Sequence, residues 1–126
     1  NIVVFFFPKA DTSGCTAEAI AFTNLQKKFD QLNCIVIGIS KDNIKKQVKF
    51  REKYNLTCEL GADFENDVCE QFGVWVEKSM YGRKYMGIQR ATFLSNEKGI
   101  ITNVWEKVKV PGHADEVLAA VEKMNM

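Results

Sequence analysis

Pro8-Lys9-Ala10-Asp11-Thr12-Ser13-Gly14-Cys15 stands between the apolar run Ile2–Phe7 and a helical pattern that begins at Thr16. The stretch reads as a strand, a polar turn and a helix whose first turn carries a cysteine. A helix N-terminus presents free N–H groups and the positive end of the helix dipole, and both favour a thiolate over a thiol. Cys15 is therefore the candidate reactive atom.

Working outward, Ile2-Val3-Val4-Phe5-Phe6-Phe7 is a continuous apolar run, the pattern of a strand covered on both faces, and Pro8 ends it. From Thr16 to Phe29, Ala17, Ala21, Phe22, Leu25 and Phe29 fall on one helical face that packs on the sheet and fixes Cys15. Cys34–Ile39 is a second buried strand. Ser40–Asp42 offers capping residues for a helix through Tyr54, with an apolar face of Ile44, Val48 and Tyr54. Leu56–Ala62 reads as a strand or extended loop, Asn66–Phe72 as one or two helical turns, and Gly73–Lys84 as a loop around Val74-Trp75-Val76. Arg90–Leu94 is a strand ending in the turn Asn96–Gly99, with Ile100–Val108 as its hairpin partner. After Pro111-Gly112, the spacing of Ala114, Val117, Leu118, Val121 and Met124 predicts a final helix. The order predicts an α/β, thioredoxin-like three-layer fold: a central mixed sheet flanked by helices, in one domain over residues 1–126.

The 126 residues suit one domain with a core of its own, and 17 basic residues nearly balance 16 acidic ones. The charges are scattered, so neither a nucleic-acid stripe nor a polybasic membrane patch is expected. No apolar run approaches the ~18 residues that cross a bilayer. Cys15, Cys34, Cys58 and Cys69 are irregularly spaced, with no CxxC pair and a single histidine, His113. That pattern argues against zinc and against a secreted disulfide framework, and for free thiols in a reducing compartment, the cytoplasm. The chain opens on Asn1 directly at a core strand, so an N-terminal segment, with any targeting information, is expected to precede it.

Pro8, Thr12 and Cys15 together satisfy PxxxTxxC, the motif of the peroxiredoxins, between a core strand and a helix. Asp67–Trp75, Glu77–Gly82 and Gly87–Leu94 extend the resemblance, in order, to the bacterioferritin comigratory protein (peroxiredoxin Q) group. The resemblance implies a thiol peroxidase acting on hydrogen peroxide or organic hydroperoxides, without metal or organic cofactor. It implies Cys15 as the peroxidatic cysteine, Thr12 as a hydrogen-bonding contact for thiolate and peroxide, Pro8 as a shield and Arg90 as the positive charge. Thiolate attack on an O–O bond needs such donors where charge develops on the leaving oxygen, and the N–H groups of Gly14 and Cys15 suit that task.

Many members of the group carry a resolving cysteine five positions after the peroxidatic one. Ile20 occupies that place, and the helix after the second strand has no cysteine either. Cys58 and Cys69 remain as weaker resolving candidates and Cys34 as a small buried hydrophobe, so the leading route is reduction of Cys15 by an external thiol, from a thioredoxin-like protein or a small thiol. The rival is a redox-sensing or chaperone-like protein that uses Cys15 stoichiometrically. A thioredoxin-like disulfide reductase is disfavoured for want of CxxC. Thr12 also suits helix capping. Glu18 suits either a hydrogen bond at the active-site rim or, the favoured reading, the helix dipole in the first turn; His113 is expected to help start the last helix, and Trp75 and Trp105 to pack, with Trp75 bordering the site. A monomer or weak dimer is expected.

Overall fold

The continuous apolar run at the N-terminus decides the architecture, because a strand with no polar face must lie mid-sheet. In the computed structural model, which describes residues 1–125, β1 (Ile2–Phe6) takes that place. It pairs in parallel with β2 (Ile35–Ser40) on one side and antiparallel with β6 (Ala91–Ser95) on the other. With β3 (Glu59–Ala62) and β7 (Ile101–Trp105) at the edges, the five-stranded sheet has the order β3-β2-β1-β6-β7. The helices are α1 (Ser13–Asn24), α2 (Gln26–Gln31), α3 (Ile44–Lys53), α4 (Val68–Gln71) and α5 (His113–Met124). A separate hairpin joins β4 (Trp75–Met80) to β5 (Arg83–Ile88). Met126, the last residue of the expected domain, lies outside the described residues. No helix among those residues is long and apolar enough to cross a membrane.

Alternation along β1 divides its side chains between two cores. Val3 and Phe5 join Cys15, Ala19 and Phe22 of α1, Phe29 of α2 and Val117 and Val121 of α5. Phe6 turns to the opposite face, with Cys69, Val74, Ile88 and Ala91. Phe5 stacks on Phe22 at 4.7 Å between ring centroids, and Phe6 meets Phe93 edge-on at 5.7 Å.

Several local expectations are corrected. The helix expected over Thr16–Phe29 starts earlier, at Ser13, and is broken at Leu25 into α1 and α2. Its most buried stripe within α1 is Cys15, Glu18, Ala19 and Phe22, with Ala17 exposed, because the stripe includes a carboxylate that an apolar count passes over. On α3 the expected face is reversed: Ile44 is 73% and Val48 48% exposed, while Gln47 and Phe50 are buried. Gln47 holds that place through its amide, which donates to Ser40 Oγ at 3.0 Å and to the Gly61 carbonyl at 2.8 Å. The expected loop at Gly73–Lys84 is instead most of the β4–β5 hairpin. Its two-residue turn places Tyr81 and Gly82 at φ 52° and 78°, the left-handed pair of a tight hairpin. Cys34 and Arg90 lie just outside β2 and β6 rather than within them, and β7 ends at Trp105 rather than Val108.

Gly38 sits opposite Phe5 in the β1–β2 register, and a Cβ there would come within 2.5 Å of the Phe5 ring. Gly38→Ala is expected to cost roughly 1–3 kcal/mol as overpacking of a filled core. Urea unfolding of the two proteins checks this, with a lowered midpoint and an unchanged slope.

Candidate active site

Cys15 lies in the first turn of α1, its residue only 1% exposed. Thr12 holds the N-cap position with extended backbone angles, and its carbonyl accepts the first helical bond from the Thr16 N–H at 2.9 Å. Its side chain does not cap: the hydroxyl donates to the Lys9 carbonyl at 2.9 Å. The first-turn N–H groups, those of Gly14 and Cys15 included, are therefore left without a capping acceptor beside the sulfur. Because the Thr12 proton is committed to Lys9, the free capacity of its oxygen is to accept.

Arg90 arrives from the segment between β5 and β6. Its Nη2 donates to Cys15 Sγ at 3.3 Å and its Nη1 to Glu18 Oε1 at 2.6 Å. One guanidinium thus bridges two residues three apart on α1, which share a helical face. Gly14 makes the approach feasible, since a Cβ there would stand 3.3 Å from Nη2. Glu18 is 1% exposed, and its second oxygen has no hydrogen-bond partner. Burial outweighs the attraction of Arg90 and pushes the Glu18 carboxyl up to about 7. Arg90 itself is raised: the Glu18 and Cys15 charges and hydrogen bonds prevail over its own burial. Lys78 of β4 is the other cation nearby. Burial and the Arg90 charge lower its ammonium, against a smaller opposing pull from Cys15.

The structure brings Cys15 and Arg90 into hydrogen-bond contact and places Thr12 at the N-cap of the same helix, with Pro8 exposed just beyond β1 in the segment that leads to it. Of the two readings of Glu18 it sets aside the favoured one: with the helix starting at Ser13, this residue lies beyond the first turn, and it hydrogen-bonds Arg90 beside Cys15 instead. Its signal in the sequence was the i, i+3 spacing from Cys15. Lys78 was passed over because its strand read as a loop. His113 does open α5, but it is buried, and its Nε2 lies 2.7 Å from the Thr92 hydroxyl. Burial holds its imidazole below the usual range. Trp105 meets His113 edge-on, and Trp75 packs with the smaller core beneath Lys41.

The other three thiols are free and buried. Burial pushes Cys34 and Cys58 up to about 11, and burial with the adjacent Asp63 carboxylate pushes Cys69 up to about 12. Cys58 shares the core of Cys15, whereas Cys69 belongs to the core on the opposite face of the sheet.

The model of the AhpC/TSA family matches residues 1–104. The chain belongs to the AhpC/TSA family. Within it, the chain is 48% identical to the putative peroxiredoxin bcp of Coxiella burnetii, over 94% of this chain and 78% of that one. It is 42% identical to peroxiredoxin Bcp of Bacillus subtilis, over 98% and 79%. Among solved AhpC/TSA structures, a cysteine-to-serine mutant of Xylella fastidiosa PrxQ superposes with a TM-score of 0.95 at 38% identity, covering 99% of this chain and 77% of that one. A cysteine-to-serine mutant of Xanthomonas campestris peroxiredoxin Q gives 0.94 at 38%, covering 99% and 79%. The expected peroxiredoxin resemblance, with its bacterioferritin comigratory protein group and thioredoxin-like fold, holds.

The Glu18 shift sets a pH test. A carboxyl raised from 4.5 to about 7 binds its proton more tightly in the folded chain than in the unfolded one. Its contribution to stability is complete below the unfolded value and is lost as pH rises toward about 7. Glu18→Gln has no proton to lose. Its Tm relative to the natural protein is expected to climb between about pH 5 and 8, as thermal unfolding across that range will show.

Proposed function

We propose that this peroxiredoxin reduces hydrogen peroxide and organic hydroperoxides through Cys15. The observation that carries the proposal is the 3.3 Å contact of Arg90 with a sulfur set among the free N–H groups of a helix start. The Cys15 thiolate attacks one peroxide oxygen. An S–O bond forms, the O–O bond breaks, and the departing hydroxide or alkoxide takes a proton to leave as water or alcohol, with Cys15 oxidised to sulfenic acid. Arg90 and the Gly14 and Cys15 N–H groups stabilise charge on the departing oxygen, the Thr12 oxygen accepts a hydrogen bond from the peroxide, and Pro8 shields the site.

With Ile20 in the place of the group's common resolving cysteine, the regeneration we propose is by an external thiol, from a thioredoxin-like protein or a small molecule. The thiol displaces water from the sulfenic sulfur to form a mixed disulfide, and a second thiol then releases reduced Cys15. Burial of Cys34, Cys58 and Cys69, with all three held as thiols, supports this route. The free thiols also suit a reducing compartment such as the cytoplasm, and the protein acts as a monomer or weak dimer.

Cys15→Ser is expected to abolish peroxide consumption, and Arg90→Ala to slow it by about 10²–10³, the usual loss for one charge-stabilising donor. Peroxide loss in the presence of thiol measures both. Full activity in Cys15→Ser would overturn the assignment, and oxidation that stops after one turnover with every thiol supplied would make the protein a stoichiometric sensor. Cys58→Ser and Cys69→Ser are expected to turn over normally with dithiothreitol. A Cys15–Cys58 or Cys15–Cys69 disulfide in the mass spectrum of the oxidised protein would contradict the external route.

A further inference from the structure

The segment from Pro8 to Thr12 lies outside β1 and α1, yet it carries the two non-cysteine residues of the motif. Two aspartates tie it down. Asp42, just before α3, accepts the Ala10 N–H on Oδ2 at 2.7 Å, and the same oxygen accepts the Ser40 hydroxyl at 2.7 Å. Ser40 is fully buried and takes the Gln47 amide at 3.0 Å, and Gln47 also reaches the Gly61 carbonyl of β3. Ala10 is thereby connected through side chains to β2, α3 and β3. One residue on, Asp11 is held from the other end of α3, where the Tyr54 hydroxyl donates to Oδ1 and Lys53 Nζ to Oδ2 at 2.8 Å. Asp11 has φ 62°, a left-handed conformation that a non-glycine residue keeps only when its surroundings impose it.

Inside this clamp the Thr12 hydroxyl reaches back to Lys9, so its direction depends on the path of the chain between those residues. Neither Asp42 nor Tyr54 has a hydrogen bond to Cys15 or Arg90, which are held by α1 and the β5–β6 segment. The clamp therefore governs the peroxide-facing turn separately from the thiolate. We infer that Asp42 and Tyr54 are positioning residues that fix the Lys9–Thr12 turn for peroxide, without setting the reactivity of the Cys15 sulfur itself. The inference rests on Cys15 being the site of oxidation.

The test compares two reactions of the same thiol in the reduced full chain: oxidation by hydrogen peroxide, followed by dimedone trapping and mass spectrometry at Cys15, and alkylation by iodoacetamide. Asp42→Ala is expected to slow oxidation at least tenfold while alkylation stays within twofold. Asp42→Asn, which keeps an acceptor for the Ala10 N–H, is expected to recover most of the loss. Tyr54→Phe removes only a surface hydroxyl and is expected to slow oxidation at least threefold with alkylation unaltered. It decides the matter alone if Asp42→Ala does not fold. Equal losses in both reactions, or no loss in either, overturn the inference. Peroxide that leaves natural-sequence Cys15 unmodified would instead sink the assignment of the nucleophile.

Discussion

The structure around α1 depends on how one guanidinium is neutralised. Arg90 is largely withdrawn from water, and a cation in that position is costly unless anions meet it at hydrogen-bond distance. Two groups do so, Cys15 Sγ at 3.3 Å and Glu18 Oε1 at 2.6 Å, and they compete for one positive charge. The second Glu18 oxygen is left bare inside the cluster. Burial is what raises the Glu18 carboxyl to about 7, against the attraction and hydrogen bond of Arg90.

This cluster needs a rigid base, and β1 supplies it. With Phe5 in one core and Phe6 in the other, the strand is locked from both sides. Its register against Gly38 allows the Phe5 ring to lie across β2 and stack on Phe22 of α1. Phe22 is on the same helical stripe as Cys15 and Glu18, so packing of one aromatic pair fixes the rotation of the helix and hence the direction of the sulfur. Rotation of α1 by one residue, about 100°, would separate both partners from Arg90.

Much of this was legible in the sequence for reasons of local physics. A six-residue apolar run has only one comfortable place in a sheet, and a cysteine after a polar turn and before a helix has a defined electrostatic setting. Arg90 was legible through the family motif blocks. Two of the failures share a cause: they are polar groups doing what apolar residues usually do. Glu18 occupies a core stripe because Arg90 is there, and Gln47 replaces Ile44 and Val48 inside because Ser40 and Gly61 offer it partners. All three partners lie outside the helix of the residue they hold, so periodicity alone points to the wrong face. The β4–β5 hairpin was obscured differently. Its strands lack the regular alternation of apolar and polar residues, since much of the ribbon projects into solvent, and only the Tyr81-Gly82 turn betrays it.

Helix geometry also bears on Ile20. Five residues at about 100° each place Ile20 about 140° around α1 from Cys15, one facing outward at 36% exposure and the other inward at 1%. A cysteine at that position could meet Cys15 only if α1 unwound, because a disulfide needs Cα atoms within about 7 Å with converging side chains. Ile20 removes that demand on the helix but creates another. In the proposed cycle a thiol from outside would have to reach a sulfur that the folded chain covers, which would require the first turn of α1 to open while the rest of the helix stays formed. The uncapped N-terminus suits such an opening. With Thr12 bonded to Lys9 instead of to the helix, the first turn lacks the side-chain bond that would otherwise resist fraying. One missing cap therefore serves both halves of the proposed cycle, leaving N–H groups free for the peroxide and the turn free to admit the reductant.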